Sequence, residues 1–159
     1  MPMTMKVEGL DELSRKLNDM ENRAGEVAAR ALYAGAGVMA DAYKRAVNDI
    51  RAAPFRYAFG GHTRLPSLEE KAALAGAAGI AKFQGSATEI DTVVGISGAG
   101  YVEIAGRKKA VKLIANSINS GTSFMEKQPI YRRAVTNTRK AASEAMVKTA
   151  DRVIEEITK

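Results

Sequence analysis

Apolar residues in the N-terminal third fall at Leu10, Leu13, Leu17, Met20, Ala24, Val27, Ala31, Ala34, Val38, Ala42 and Val47. The steps are mostly alternating threes and fours, so these side chains share one face of a helix. Ser14, Arg15, Lys16, Asn18 and Asp19 fall off that face, and Asp11 and Glu12 stand in a first turn, where acids complement the helix dipole. A straight helix from Leu10 to Ile50 would be about 60 Å long, against a radius of gyration of about 15 Å for a compact domain of this size. It must therefore break, or project and lean on a neighbour, and the segment from Asn22 to Gly25 is the expected break. Before it, Met3 to Glu8 alternates weakly as a short edge strand, closed by Gly9. A second stripe, from Tyr131, Ala134 and Val135 through Ala142, Met146 and Ala150 to Val153, Ile154 and Ile157, predicts a long amphipathic C-terminal helix. Pro129 opens it, because a proline at the first helical position loses no hydrogen bond and has its φ already set.

Between the two stripes the pattern changes. Ser67 followed by Glu69 and Glu70 reads as an N-cap and an acidic first turn of a short helix. Ala77 to Gln84 and Glu89 to Ser97 read as two strands around a turn at Gly85-Ser86-Ala87-Thr88; the second, with Ile90, Thr92, Val93, Val94 and Ile96, is the stronger. Tyr101 to Ile104 predicts a further short strand, and Val111, Ile114, Ala115 and Ile118 a short helix. Residues 52–66, 105–112 and 119–128 remain as loops. The whole is one domain, residues 1–159, of the α+β class: long N- and C-terminal helices packed on a small antiparallel sheet with a hairpin near residues 77–97.

Composition sharpens this picture. Of the 159 residues 46% are apolar, but aromatics are 6% and tryptophan is absent. Much of the apolar content is Ala and Gly, so the core is expected to be thin and the helix contacts close. Gly35 and Gly37 each cost a helix about 1 kcal/mol relative to Ala, which predicts a close helix approach at Ala34-Gly35-Ala36-Gly37. Such a composition suits subunits that complete their packing in an assembly. Without cysteine there is no disulfide and no thiolate metal site. The opening residues do not resemble a signal peptide, and no apolar run approaches the roughly 20 residues that span a bilayer, so a soluble protein is expected.

The net charge of +6 suits a nucleic-acid surface, an acidic partner or simple solubility. Four cations, Arg107, Lys108, Lys109 and Lys112, form the densest positive patch; it can serve phosphate, an acidic neighbouring subunit or solvent. Arg51, Arg56 and Arg64 are interleaved with Phe55, Tyr57 and Phe59, either as a stacking surface for single strands or as a loop that tucks its rings into the core edge. Gly35 to Ala40 matches a loose dinucleotide fingerprint but lies inside a helical pattern with no strand before it. Gly98-Ala99-Gly100 lacks a following phosphate-binding helix. His62 has no partner at ligand spacing. A metal-dependent nuclease would have to draw on Glu103 and Asp91. There is no nucleophile–base pair, metal cluster or phosphate loop, so no catalytic, cofactor or metal residue is assigned and an enzyme is not expected.

Residues 119–134 join the two halves. Gly121 punctuates the end of one element, Pro129 opens the next, and Tyr131, Arg132 and Arg133 sit on the first turns of the last helix. The run Gly121-Thr122-Ser123, a polar spacer, then Gln128-Pro129-Ile130-Tyr131-Arg132-Arg133-Ala134 resembles the signature of the tailed-phage neck, or minor tail component, family, named after the tenth gene product of a lambdoid siphophage. Asn119 and Ser120 replace the family's usual Glu and aromatic, and Arg133 stands where a Pro is common. Val7 to Leu13 resembles the family's opening, and Gly79 to Phe83 with Asp91 to Gly95 its middle hairpin. The blocks keep the family's order, with residues 52–75 matching least.

This resemblance implies a structural virion protein at the head–tail junction, a tail-completion component assembled in the bacterial host cytoplasm and acting without catalysis or cofactor. It implies a homo-oligomeric ring, six-fold favoured over twelve-fold. The implied neighbours are a head–tail connector or stopper protein and a tail tube or tail terminator protein, with transient contact with passing DNA and no membrane. Gly121, Thr122, Gln128, Pro129, Tyr131, Arg132 and Arg133 are the expected interface. Arg107, Lys108, Lys109 and Lys112 are the alternative, a DNA-binding loop.

Overall fold

The N-terminal apolar stripe does not break. In the computed structural model, which describes residues 10–54, 57–58, 61–62, 64–82, 84–85, 90–96, 100–104 and 106–159, α1 runs from Leu10 to Asn48 as 39 continuous residues, about 58 Å of helix. The expected interruption from Asn22 to Gly25 is thereby corrected. Gly25 lowers helix propensity, but Arg23 and Arg30 both reach Glu26 (3.0 and 2.7 Å) and tie the adjoining turns together. The helix leans on a neighbour instead. That neighbour is α4 (Ile130–Thr158), which packs along α1 over much of its own length.

The two run antiparallel: Tyr43 meets Tyr131, Gly35 lies against Ala142 and Met146, and Arg30 reaches Glu156 at 3.5 Å. The close approach expected at the paired glycines is real at one of them. A Cβ on Gly35 would come within 2.7 Å of the Met146 Sδ and 3.3 Å of the Ala142 carbonyl oxygen, whereas a Cβ on Gly37 would meet nothing within 4 Å. The successive small residues of α1 let the helix axes approach, which is how a chain poor in bulky side chains fills its interior.

The remaining elements gather at one end of this helical pair. After β1 (Tyr57–Ala58) and β2 (Gly61–His62), a two-residue ladder inside what reads as a loop, comes α2 (Leu68–Ala77). Its start is the predicted capping box: Ser67 Oγ accepts from the Glu70 N–H, and Glu70 Oε2 accepts from the Ser67 N–H, at 3.1 and 3.0 Å. The hairpin near residues 77–97 is present as two ladders in series. β3 (Ala78–Ile80) pairs antiparallel with β6 (Val94–Ile96), and β4 (Gln84–Gly85) with β5 (Ile90–Asp91). The Ala81 N–H donates to the Val93 carbonyl and the Thr92 hydroxyl to the Ala81 carbonyl between them. β7 (Tyr101–Ile104) pairs with β8 (Arg107–Ala110), which leads straight into α3 (Val111–Ser120).

The fold is thus α+β with long N- and C-terminal helices packed together. Among the described residues the strands form separate two-stranded antiparallel ladders. The core forms where α1, α2, α3 and the start of α4 converge: Tyr43, Val47 and Ile50, then Leu74, then Val111, Ile114, Ala115 and Ile118, then Met125, Ile130 and Ala134. Val111, Ile114, Ala115 and Ile118, the four positions picked out by helical spacing, are the buried residues of α3. Each fully buried Leu, Ile or Val contributes about 1.5–3 kcal/mol, so this cluster holds the body together. The expected strand at Met3 to Glu8, the turn at Ser86 to Thr88, Phe55 and Phe59 lie outside the described residues, as do the side chains of Tyr57 and His62.

Candidate interaction site

The segment between α3 and α4 is built as a rigid projection. α3 ends because Gly121 adopts φ 77°, ψ 157°, a region open essentially to glycine alone. Its N–H donates to the Ser117 carbonyl at 2.9 Å. Thr122 to Met125 then form a tight turn. The Thr122 N–H donates to the Met125 carbonyl and the Met125 N–H to the Thr122 carbonyl, while the Phe124 N–H is accepted by Thr122 Oγ1 at 3.2 Å. Adjacent side chains divide: Met125 is buried in the core and Phe124 stands 69% exposed at the tip.

Gln128 secures the turn from behind. Only 4% exposed, its Oε1 accepts from the Arg51 N–H at 2.8 Å and its Nε2 donates to the Arg51 carbonyl at 3.0 Å. Its own N–H donates to the Ile118 carbonyl at 2.7 Å. The Gln128 side chain thus pairs with the Arg51 backbone much as a neighbouring strand would. Glu126 adds an ion pair with the Arg51 guanidinium, and its N–H donates to the Arg64 carbonyl at 2.7 Å. Pro129 precedes the first helical residue, Ile130. Asn119 Oδ1 accepts from the Tyr131 N–H at 3.2 Å, satisfying one of the free donors that open α4.

The expected interface residues therefore separate into two groups. Gly121, Gln128 and Pro129 shape the projection from within. Tyr131 is half-buried, its ring 5.4 Å from that of Tyr43 at 44°. Thr122, Arg132 and Arg133 face solvent. Sequence reasoning assigned no role to Phe124 or Glu126, and it placed Arg51 on an aromatic–basic loop rather than beside Gln128 and Glu126. Phe124 carried a signal, a lone aromatic in a polar spacer. The pairing of Arg51 with Gln128, 77 positions apart, carried none.

The basic patch also divides, and Arg107 to Lys112 are not a loop. Arg107 to Ala110 form β8, and Lys112 belongs to α3. Strand alternation sends Lys109 inward opposite Val102, where its Nζ lies 3.3 Å from Oε1 of Glu70. Glu70 is 1% exposed, so Lys109 is a structural counter-ion. Arg107, Lys108 and Lys112 stay exposed, Lys108 opposite Glu103 in the ladder. The glycine fingerprint from Gly35 to Ala40 lies in the middle of α1. Among the described residues no group of three or more His, Cys, Asp or Glu could hold a metal ion, and no helix is long and apolar enough to cross a membrane.

Two groups in the helical pair have displaced pKa values. Glu26 is held below the usual carboxylate range, first by the hydrogen bond from Arg23 and then by the charges of Arg23 and Arg30. Tyr43 is pushed well above the ordinary tyrosine value, first by burial and then by the Tyr131 phenol. Tyr131 lies near without reaching hydrogen-bond geometry, and the Tyr43 hydroxyl is buried without a partner among the described residues.

Comparison with family models, curated proteins and solved structures found no significant match to this chain.

Proposed function

We propose that the chain is a structural subunit of a tailed-phage virion, a ring-forming neck or tail-completion component that joins the head connector to the tail. Its contact with a neighbouring subunit is made by the Phe124 turn together with Arg132 and Arg133. The sequence resemblance supplies the biological setting. The observation that carries the contact is Phe124, an exposed aromatic on a turn whose backbone and flanks are fixed. Aromatic and arginine side chains supply a disproportionate share of binding energy at protein interfaces, and a pre-ordered turn loses little entropy on binding. The residues that carry the family resemblance are also those that build this turn: Gly121 ends α3, Gln128 grips Arg51 and Pro129 leads into α4.

The test is complementation of a phage lacking its own copy of this protein. The double substitution Phe124→Ala, Arg132→Ala is expected to leave the circular dichroism spectrum and melting temperature near those of the wild type, while heads and tails accumulate unjoined. Full infectivity with the double substitution would remove the contact, and failure of the wild-type chain to enter particles would remove the assignment. The DNA-binding alternative loses Lys109 to Glu70 and retains Arg107, Lys108 and Lys112. It predicts duplex or single-strand affinity that falls steeply with salt, which a gel shift at low salt reads directly.

A further inference from the structure

The surface around the Phe124 turn is basic and is not neutralised within the chain. The bond from the Glu126 N–H to the Arg64 carbonyl holds residue 64 against the turn. Lys127 packs against Gly121, and Arg132 and Arg133 lie in the first helical turn of α4. All four cations are exposed, and among the described residues none of them forms an ion pair. Glu126 is the single carboxylate between Asn119 and Ala134, and the Arg51 guanidinium already holds it. Elsewhere cations are answered inside the chain: Lys16 by Glu12, Arg23 and Arg30 by Glu26, Lys109 by Glu70, Lys140 by Glu144. An aromatic knob thus stands in a collar of unpaired positive charge, which an anionic partner would neutralise.

The form of the site favours one class of anionic partner. A nucleic-acid strand lays successive bases on aromatic platforms along a positive groove. Here the ring sits at the tip of a tight turn, 69% exposed. The other aromatic of the segment, Tyr131, is turned inward onto Tyr43. A single projecting ring on a fixed base suits a pocket in a protein, with the arginines at its rim. A second copy of this chain is a poor source of the negative rim, because each copy carries a net charge of +6.

We propose that the Phe124 turn docks on an acidic surface of a different protein chain, its ring in an apolar pocket and Arg64, Lys127, Arg132 and Arg133 against a rim of carboxylates. This rests on the phage assignment above and states the chemistry of the neighbour that the turn meets. Rim charges of this kind set the rate of encounter and its dependence on salt, and the buried ring supplies the grip.

Cosedimentation of the full chain with heads and with tails, purified from a phage lacking this protein, tests it. The wild type is expected to bind one of them, less well as salt rises. Arg132→Glu with Arg133→Glu should weaken binding at low salt about tenfold or more with helicity unchanged, since both side chains are exposed and acids suit the first turn of a helix. Glu126→Gln releases Arg51 to the collar and should strengthen it. The chain has no tryptophan, so Phe124→Trp places one fluorophore at the tip. Its emission should stay unchanged with a single strand of about 20 thymidines, longer than one strand-binding site, and with an excess of the wild-type chain. Particle binding indifferent to salt and to the arginine reversal overturns the acidic rim and leaves the phage assignment standing. Quenching by the thymidine strand overturns the protein partner, and a shift with the wild-type chain overturns the different chain. A wild type that binds neither heads nor tails removes the assignment and this inference with it.

Discussion

At the scale of single residues, the same substitution at two neighbouring glycines should have opposite effects. Gly35→Ala drives a methyl group against Met146 and the Ala142 carbonyl. The overpacking costs about 1–3 kcal/mol, more than the roughly 1 kcal/mol of helix propensity gained, so urea denaturation should show a lower midpoint. Gly37→Ala meets nothing within 4 Å and should add up to about 1 kcal/mol of stability, raising the midpoint. Tyr43 makes a pH-dependent prediction. Its pKa is raised in the folded chain, so its contribution is fully present below the ordinary tyrosine value of about 10 and is lost as pH rises above it. Tyr43→Phe removes a buried hydroxyl without a hydrogen-bond partner. It should stabilise by about 1 kcal/mol at pH 7 and flatten the alkaline loss of stability, measured by urea denaturation at pH 7 and above pH 10. The sequence marked both glycines. It could not say which glycine faces α4, because that depends on the rotation of two helices about their axes.

At the scale of elements, β8 shows why a run of cations is a poor guide. Arg107-Lys108-Lys109 reads as a solvated loop because all three residues are charged. Paired with β7, the segment acquires a two-residue period, and its third cation turns inward to Glu70. Lys109→Met removes that cation from a carboxylate 1% exposed and should cost about 1–3 kcal/mol, whereas Lys108→Met, on the outer face, should change the urea midpoint little. The capping box of α2 and the buried face of α3 were legible because each is written within a few residues. Strand pairing was legible for the hairpin near residues 77–97, whose β-branched residues mark it. It was hidden for β8, whose side chains do not.

At the scale of the whole molecule, the proposed contact sits at one end of α1, which is about 58 Å long. The Phe124 turn lies beside the C-terminal end of α1, anchored to Arg51. Gly37 lies about 20 Å back along the helix. Substitutions this far apart are expected to act independently, so Gly37→Ala should raise the urea midpoint of the Phe124→Ala, Arg132→Ala protein as much as that of the wild type.

The sequence by itself determined that long helices open and close the chain, the buried face of α3, the cap of α2 and the α+β class, because helical periodicity and capping are encoded by residues within a few positions of one another. The tertiary structure alone decided that α1 stays whole, since the support of α4 replaces the break that an isolated helix of that length would need. It also decided that Gln128 serves Arg51, that Lys109 serves Glu70 and that Phe124 is turned outward. Each of these depends on groups brought together from distant parts of the chain, and no local pattern of residues encodes such a meeting.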